Sequence, residues 1–188
     1  LRLSLSGYYG YTFRNTERKA GASYDDCHGA LAIGSFGFEL NRWTLIVRGN
    51  ATYANLSDAE RITAFCNAYP KHTQQDGSPS KHSPIGSSAY SFGGEAGYDV
   101  FSIFDALRQK QKLYVFGRYE DYNTYATGNK KVAYTYDHVK RMSFGINYKP
   151  IPQIIVKAEW AKRYLDSAYN DEPSILLGVM FVGWFNRK

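Results

Sequence analysis

The stretch LRLSLSGYYGYTF, residues 1–13, decides the fold. Leu1, Leu3, Leu5, Tyr9, Tyr11 and Phe13 share one face of an extended chain; Arg2, Ser4, Ser6 and Thr12 share the other. Apolar and polar residues alternating with period two read as a strand with one dry and one wet face. About a dozen residues suits a tilted membrane-crossing strand, which needs ~9–11. Strands of soluble proteins run about 5–6.

The pattern recurs along the chain. Residues 28–41 place Ala30, Ala32, Phe36, Phe38 and Leu40 opposite Ser35 and Glu39. Residues 42–56 set Trp43, Leu45, Val47, Ala51 and Tyr53 against Thr44, Arg48, Asn50 and Thr52. Residues 89–101 set Tyr90, Phe92, Ala96, Tyr98 and Val100 against Ser91, Glu95 and Asp99. In 112–125, Leu113, Val115 and Tyr119 oppose Arg118 and Glu120, but Tyr114 and Phe116 fall on the polar face. Residues 134–148, 152–164 and 174–185 complete the series, making about eight strands, an even number as bacterial barrels have. The expected fold is an all-β antiparallel transmembrane barrel or half-barrel, one domain over residues 1–188.

Connections alternate in length. Long polar ones are expected at 14–27, at 57–88, around TGNKK and at DSAYNDEP; short ones fall around Asn41 and at KPIP, and a middling one at SIFDALRQKQ (102–111). Long outer loops and short periplasmic turns are the rhythm of outer-membrane barrels. Cys27 and Cys66 then share the outer side, where they form either one disulfide or two separate thiols. Within the long loop, Ile62, Phe65, Cys66 and Tyr69 have helical spacing behind Ser57 as N-cap. Such a helix either folds into a pore or lies on the surface.

Composition agrees. Of 188 residues, 44% are hydrophobic and 16% aromatic, with 17 Tyr and 11 Phe, yet mean hydropathy is −0.46. No stretch approaches the ~18–20 apolar residues of a spanning helix, and alternation hides an apolar face from any average. Tyrosine favours membrane interfaces. No basic run resembles a nucleic-acid tail, and the two cysteines have no zinc spacing, so no nucleic acid, metal or cofactor is expected. A secreted barrel needs a cleavable signal. The chain opens directly in strand pattern, so a mature or processed piece is expected.

Lipid cannot satisfy charged side chains, so the charged face should point inward. Parity places Arg2, Arg48, Arg118, Arg141, Lys157 and Arg163 there, with Glu39, Glu95, Asp99, Glu120 and Glu159. Candidate pore-lining residues are therefore Arg2, Arg48, Glu95, Arg118, Glu120, Arg141, Lys157, Glu159 and Arg163. The near balance of sign puts most of the +6 net charge in loops. Charges of both signs either line water and filter solutes or pair within a small closed barrel. His28, His72, His82 and His138 all sit in or beside outer loops. Asp137 beside His138 sketches an acid–base pair, but neighbours on a strand point opposite ways. No catalytic set assembles, and no enzyme activity is expected.

Several segments are similar to a known family. YVFGRYEDY (114–122), RGNATYANLSDAERI (48–62), SFGINYKPIPQIIVKAEW (143–160) and EPSILLGVMFVGWF (172–185) resemble strand blocks of phosphate-selective porins of the O and P type, as does LRLSLSGYYGY. The resemblance implies a trimeric Gram-negative outer-membrane porin of about sixteen strands, with this chain as its C-terminal half. It implies passive diffusion of small hydrophilic, phosphate-like anionic solutes, with lipid and the barrel-assembly machinery as partners. The family typically ends on Phe; here Phe185 is followed by Asn186, Arg187 and Lys188. A small closed eight-stranded barrel with a structural or partner-binding role is the alternative.

Overall fold

Among the described residues, eight strands follow one another across a single antiparallel sheet in chain order. They are β1 (Arg2–Tyr11), β2 (Ala30–Arg42), β3 (Leu45–Leu56), β4 (Ser88–Asp99), β5 (Lys112–Thr127), β6 (His138–Ile151), β7 (Ile154–Leu165) and β8 (Pro173–Phe181). The computed structural model describes residues 1–12, 29–68, 84–104, 106–107, 111–127, 137–165 and 172–181. Lengths of 9 to 16 residues exceed those of ordinary soluble strands. β1 and β8 pair only with β2 and β7, so among the described residues the sheet is open at both edges. No described helix is long and apolar enough to cross a membrane.

Long connections gather at one end of the sheet, the loop end; the β2–β3 and β6–β7 turns mark the other, the hairpin end. Arg42 pairs with Leu45, so only Trp43 and Thr44 reverse the chain. Trp43 was expected on the apolar face of the third strand. It is instead the first turn residue, at φ 56°, with its ring exposed. A two-residue hairpin needs a left-handed residue there, and that requirement overrides the alternation. The Arg42 guanidinium carbon lies 4.5 Å from the indole centroid. The expected start of the sixth strand at Tyr134 and end of the eighth at Phe185 lie outside the described residues.

The two faces have inverted polarity for a water-soluble sheet. The apolar face is open: Leu5 is 85% exposed, Leu177 77% and Val179 76%. The polar face is the more covered: Ser143, Asp99, Phe116, Tyr114 and Ala161 are all buried there. Soluble proteins bury their large apolar side chains and leave charges outside.

Phe116 breaks the alternation because it covers a glycine. The Phe116 ring lies across Gly145, where a Cβ would stand 2.7 Å from Cζ and 2.5 Å from the Ala158 carbonyl oxygen. Gly145→Ala must therefore spread β6 from β7 or displace the ring, costing about 1–3 kcal/mol. Gly34 has nothing within 4 Å of its Cβ position. Urea unfolding should show a lowered midpoint for Gly145→Ala and little change for Gly34→Ala.

The long-loop helix is α1, Ala59–Ala68. Ser57 does not cap it. Its Oγ accepts the Ala30 N–H at 2.9 Å, and Asp58, at φ 55°, precedes the first turn. Ile62 is 1% exposed and packs over Gly29 beside Leu56, at the loop-end rim. Thr63 Oγ1 accepts the Ile85 N–H at 3.0 Å, tying the returning chain to the helix. Truncating Ile62 to alanine removes about 2 kcal/mol or more of this anchor. Trypsin cleavage after the neighbouring Arg61 is then expected to rise on the order of tenfold, with the strands unaffected.

Candidate solute-facing site

Register builds a row of alternating charge across five strands of the polar face. Arg2 pairs with Glu39, Glu39 with Arg48, Arg48 with Glu95, and Glu95 with Arg118. Arg118 donates to Glu95 Oε2 from Nε at 2.9 Å and from Nη2 at 2.5 Å. Looser contacts of 3.7–3.9 Å join Arg48 to Glu39 and Glu95, and Arg2 to Glu39. The row ends on small residues, since Arg118 lies opposite Ser143 and Ser143 opposite Ala161. Ser143 is wholly buried, and among the described residues its Oγ has no hydrogen-bond partner.

A second cluster lies nearer the loop end. Arg141 Nη2 donates to Glu159 at 3.3 Å, and its Nε lies 4.0 Å from Glu120. The row lines a concavity of about 410 Å³, floored by Gly37, Gly49, Gly93 and Gly94. Exposed pairs of this kind contribute ~0–1 kcal/mol each; the tighter Arg118–Glu95 pair belongs at or above the top of that range.

Every candidate residue named from parity lies on this face: Arg2, Arg48, Glu95, Arg118, Glu120, Arg141, Lys157, Glu159 and Arg163. The expected balance of sign does not hold, because parity carried to the strand ends adds Lys112 and Lys149. The face then carries eight basic against five acidic side chains. The acids are engaged. Glu39, Glu95, Glu120 and Glu159 each meet an arginine, and Asp99 accepts the Leu113 N–H at 3.1 Å.

The surplus is therefore cationic, and it concentrates at the hairpin end of β5–β7. Lys112 stands directly opposite Lys149, and Lys157 is opposite Asn147, one cross-strand pair away. A cavity of about 170 Å³ there is lined by Arg48, Lys149, Lys157, Asn147 and the Tyr114 ring, with Glu95 as its acid. Arg141 and Arg163 form another directly opposed like-charge pair. Like charges opposite one another destabilise a sheet unless an anion lies between them. Cations, an amide and a phenol around a small cavity suit a hydrated or oxyanionic solute.

The remaining sequence candidates separate. His138 meets Asp121 Oδ1 at 3.0 Å through Nε2, and the Asp137 carbonyl accepts the Thr124 N–H. This pair sits on the apolar face, since Asp121 shares Phe92's side of the sheet. Cys66 is a half-buried thiol on α1, with no disulfide partner among the described residues. Its expected partner Cys27 lies outside the described residues, as do His28, His72 and His82.

No protein-family model and no solved structure matches the chain. It is similar to an uncharacterized protein of Aquifex aeolicus (strain VF5), 33% identical over 139 residues. The match covers 66% of this chain and 27% of that protein, so the chain spans about a quarter of the relative's length.

Proposed function

We propose that this chain is part of the wall of a transmembrane β-barrel porin in the outer membrane of a Gram-negative bacterium, passing small hydrophilic solutes with a preference for anions. The inverted polarity of the sheet carries this reading. A long sheet with an open apolar face and a covered, ion-paired face suits lipid on one side and water on the other. Aromatic girdles support it. Tyr9, Tyr11, Tyr53, Tyr90 and Tyr164 lie toward the loop end of the apolar face, and Tyr98, Tyr148 and Phe181 toward the hairpin end. Aromatics gather at the two interfaces of such barrels.

Among the described residues both edges leave backbone groups unpaired, which hydrocarbon does not tolerate. That favours a wider barrel completed by further strands over an eight-stranded closed one, and the greater length of the Aquifex relative is consistent with it. A barrel of about sixteen strands and a trimeric assembly come from the porin resemblance.

Planar-bilayer recording from the purified natural polypeptide tests the proposal. Stepwise, ohmic single-channel conductance is expected. Absence of any open-channel current from the assembled protein would contradict it.

A further inference from the structure

The apolar face carries few acidic, basic or histidine side chains along its described strands. Arg42 stands at the β2–β3 turn. The others, Asp121, His138, Lys140 and Lys162, fall together on β5–β7 toward the loop end. Lys140 lies opposite Asp121 and Tyr164; Lys162 lies one cross-strand pair nearer the hairpin end, opposite Met142. Beyond Lys162 the face is apolar, with Phe144, Ile146, Val156 and Leu177.

Asp121 is buried and already engaged. His138 Nε2 is 3.0 Å from Oδ1, and the Tyr119 hydroxyl donates to Oδ2 at 3.2 Å. Lys140 is exposed, and Lys162 Nζ sits 5.2 Å from the Tyr164 ring centroid. Among the described residues, neither lysine is ion-paired. The patch therefore ends the apolar band with two available ammonium groups and a tyrosine ring.

From this placement we infer that Lys140 and Lys162 bind the phosphate of an anionic lipid headgroup. The inference rests on the apolar face lying in a bilayer. Cations at the edge of a hydrocarbon-facing band stand at headgroup depth, where they attract anionic lipid. A second copy of the chain fits less well. It would have to present a carboxylate, and the one acid of the described apolar face is Asp121, already held by His138 and Tyr119.

Trp160 shares the face two residues from Lys162 and reports on bound lipid. The natural polypeptide, with Trp160 kept and its other tryptophans, Trp43 and Trp184 among them, replaced by phenylalanine, is reconstituted in phosphatidylcholine vesicles containing some phosphatidylglycerol, either lipid brominated in turn. Quenching of Trp160 should show phosphatidylglycerol enriched on the order of tenfold at the site. Lys140→Gln with Lys162→Gln should remove the enrichment, and the paired Lys→Arg variant should keep it. Enrichment that is missing in the parent protein, or unchanged in the glutamine variant, overturns the site. So does a glutamine variant that dissociates the assembly without altering the lipid ratio, since the patch would then be a protein contact. No quenching by brominated phosphatidylcholine would place the face outside the bilayer and overturn the membrane reading itself.

Discussion

If the proposed porin reading holds, replacing Lys149 and Lys157 together by glutamate is expected to turn its anion preference into a cation preference. These lysines line the small basic cavity at the hairpin end of the polar face. Their charge is not offset as that of the arginine row is, because the acids of the face are already bound by arginine or by backbone. Two charge reversals in a confined, low-dielectric wall change the local potential far more than the same change on an open surface. The anion-to-cation permeability ratio, read from reversal potentials in a salt gradient, should fall several-fold and cross one. With Lys149→Glu, the new carboxylate stands directly opposite Lys112, replacing a repulsive cross-strand pair by an attractive one worth about 0.2–1 kcal/mol. The variant should therefore fold at least as well as the parent. An unchanged ratio would show that solutes do not pass this cavity.

Glu95→Ala is expected to give the largest loss of stability among single replacements in the charged row. Glu95 meets two arginines of the row, Arg118 closely and Arg48 at 3.9 Å, whereas both arginine contacts of Glu39 are loose, at 3.7 and 3.9 Å. Removing it leaves the half-buried Arg118 guanidinium without its acceptor. Losing a charged hydrogen bond costs about 1.5–3 kcal/mol, and the partial exposure of Arg118 places the effect at the lower end. Arg118→Leu in the same background should recover much of the loss, because breaking an ion pair costs more than replacing both partners by apolar groups. A double-mutant cycle on urea midpoints measures the coupling, expected at about 1–2 kcal/mol. Additive effects would mean that the pair contributes nothing beyond its separate side chains.

The eight strands were legible because alternation over a dozen residues survives any single exception. Where it failed, a neighbour supplied the reason. Phe116 takes the polar side because Gly145, on the next strand, leaves room for its ring, and nothing near Phe116 in sequence announces that. Trp43 left its strand because the Arg42–Leu45 pairing allows only two residues to turn. Register was the part beyond the reach of sequence. The polar-face residues were identifiable by parity, but their order as Arg2–Glu39–Arg48–Glu95–Arg118 depends on how five strands align. Lys112 and Lys149 have the right parity too; they sit at strand ends, where turn residues such as KPIP obscure it. The Asp121–His138 contact joins residues offset along adjacent strands, so neither shows the other in a linear reading.

The central claim is that one face of the sheet meets lipid and the other meets water. Spin labels on cysteines introduced singly at Leu177 and Val179, and at Arg48 and Lys157, test it in the reconstituted natural polypeptide. Labels at Leu177 and Val179 are expected to be relaxed by oxygen, which partitions into lipid, and shielded from a water-soluble nickel chelate. Labels at Arg48 and Lys157 are expected to show the reverse. Equal exposure of all four sites to the nickel chelate, or the opposite alternation, would contradict the claim.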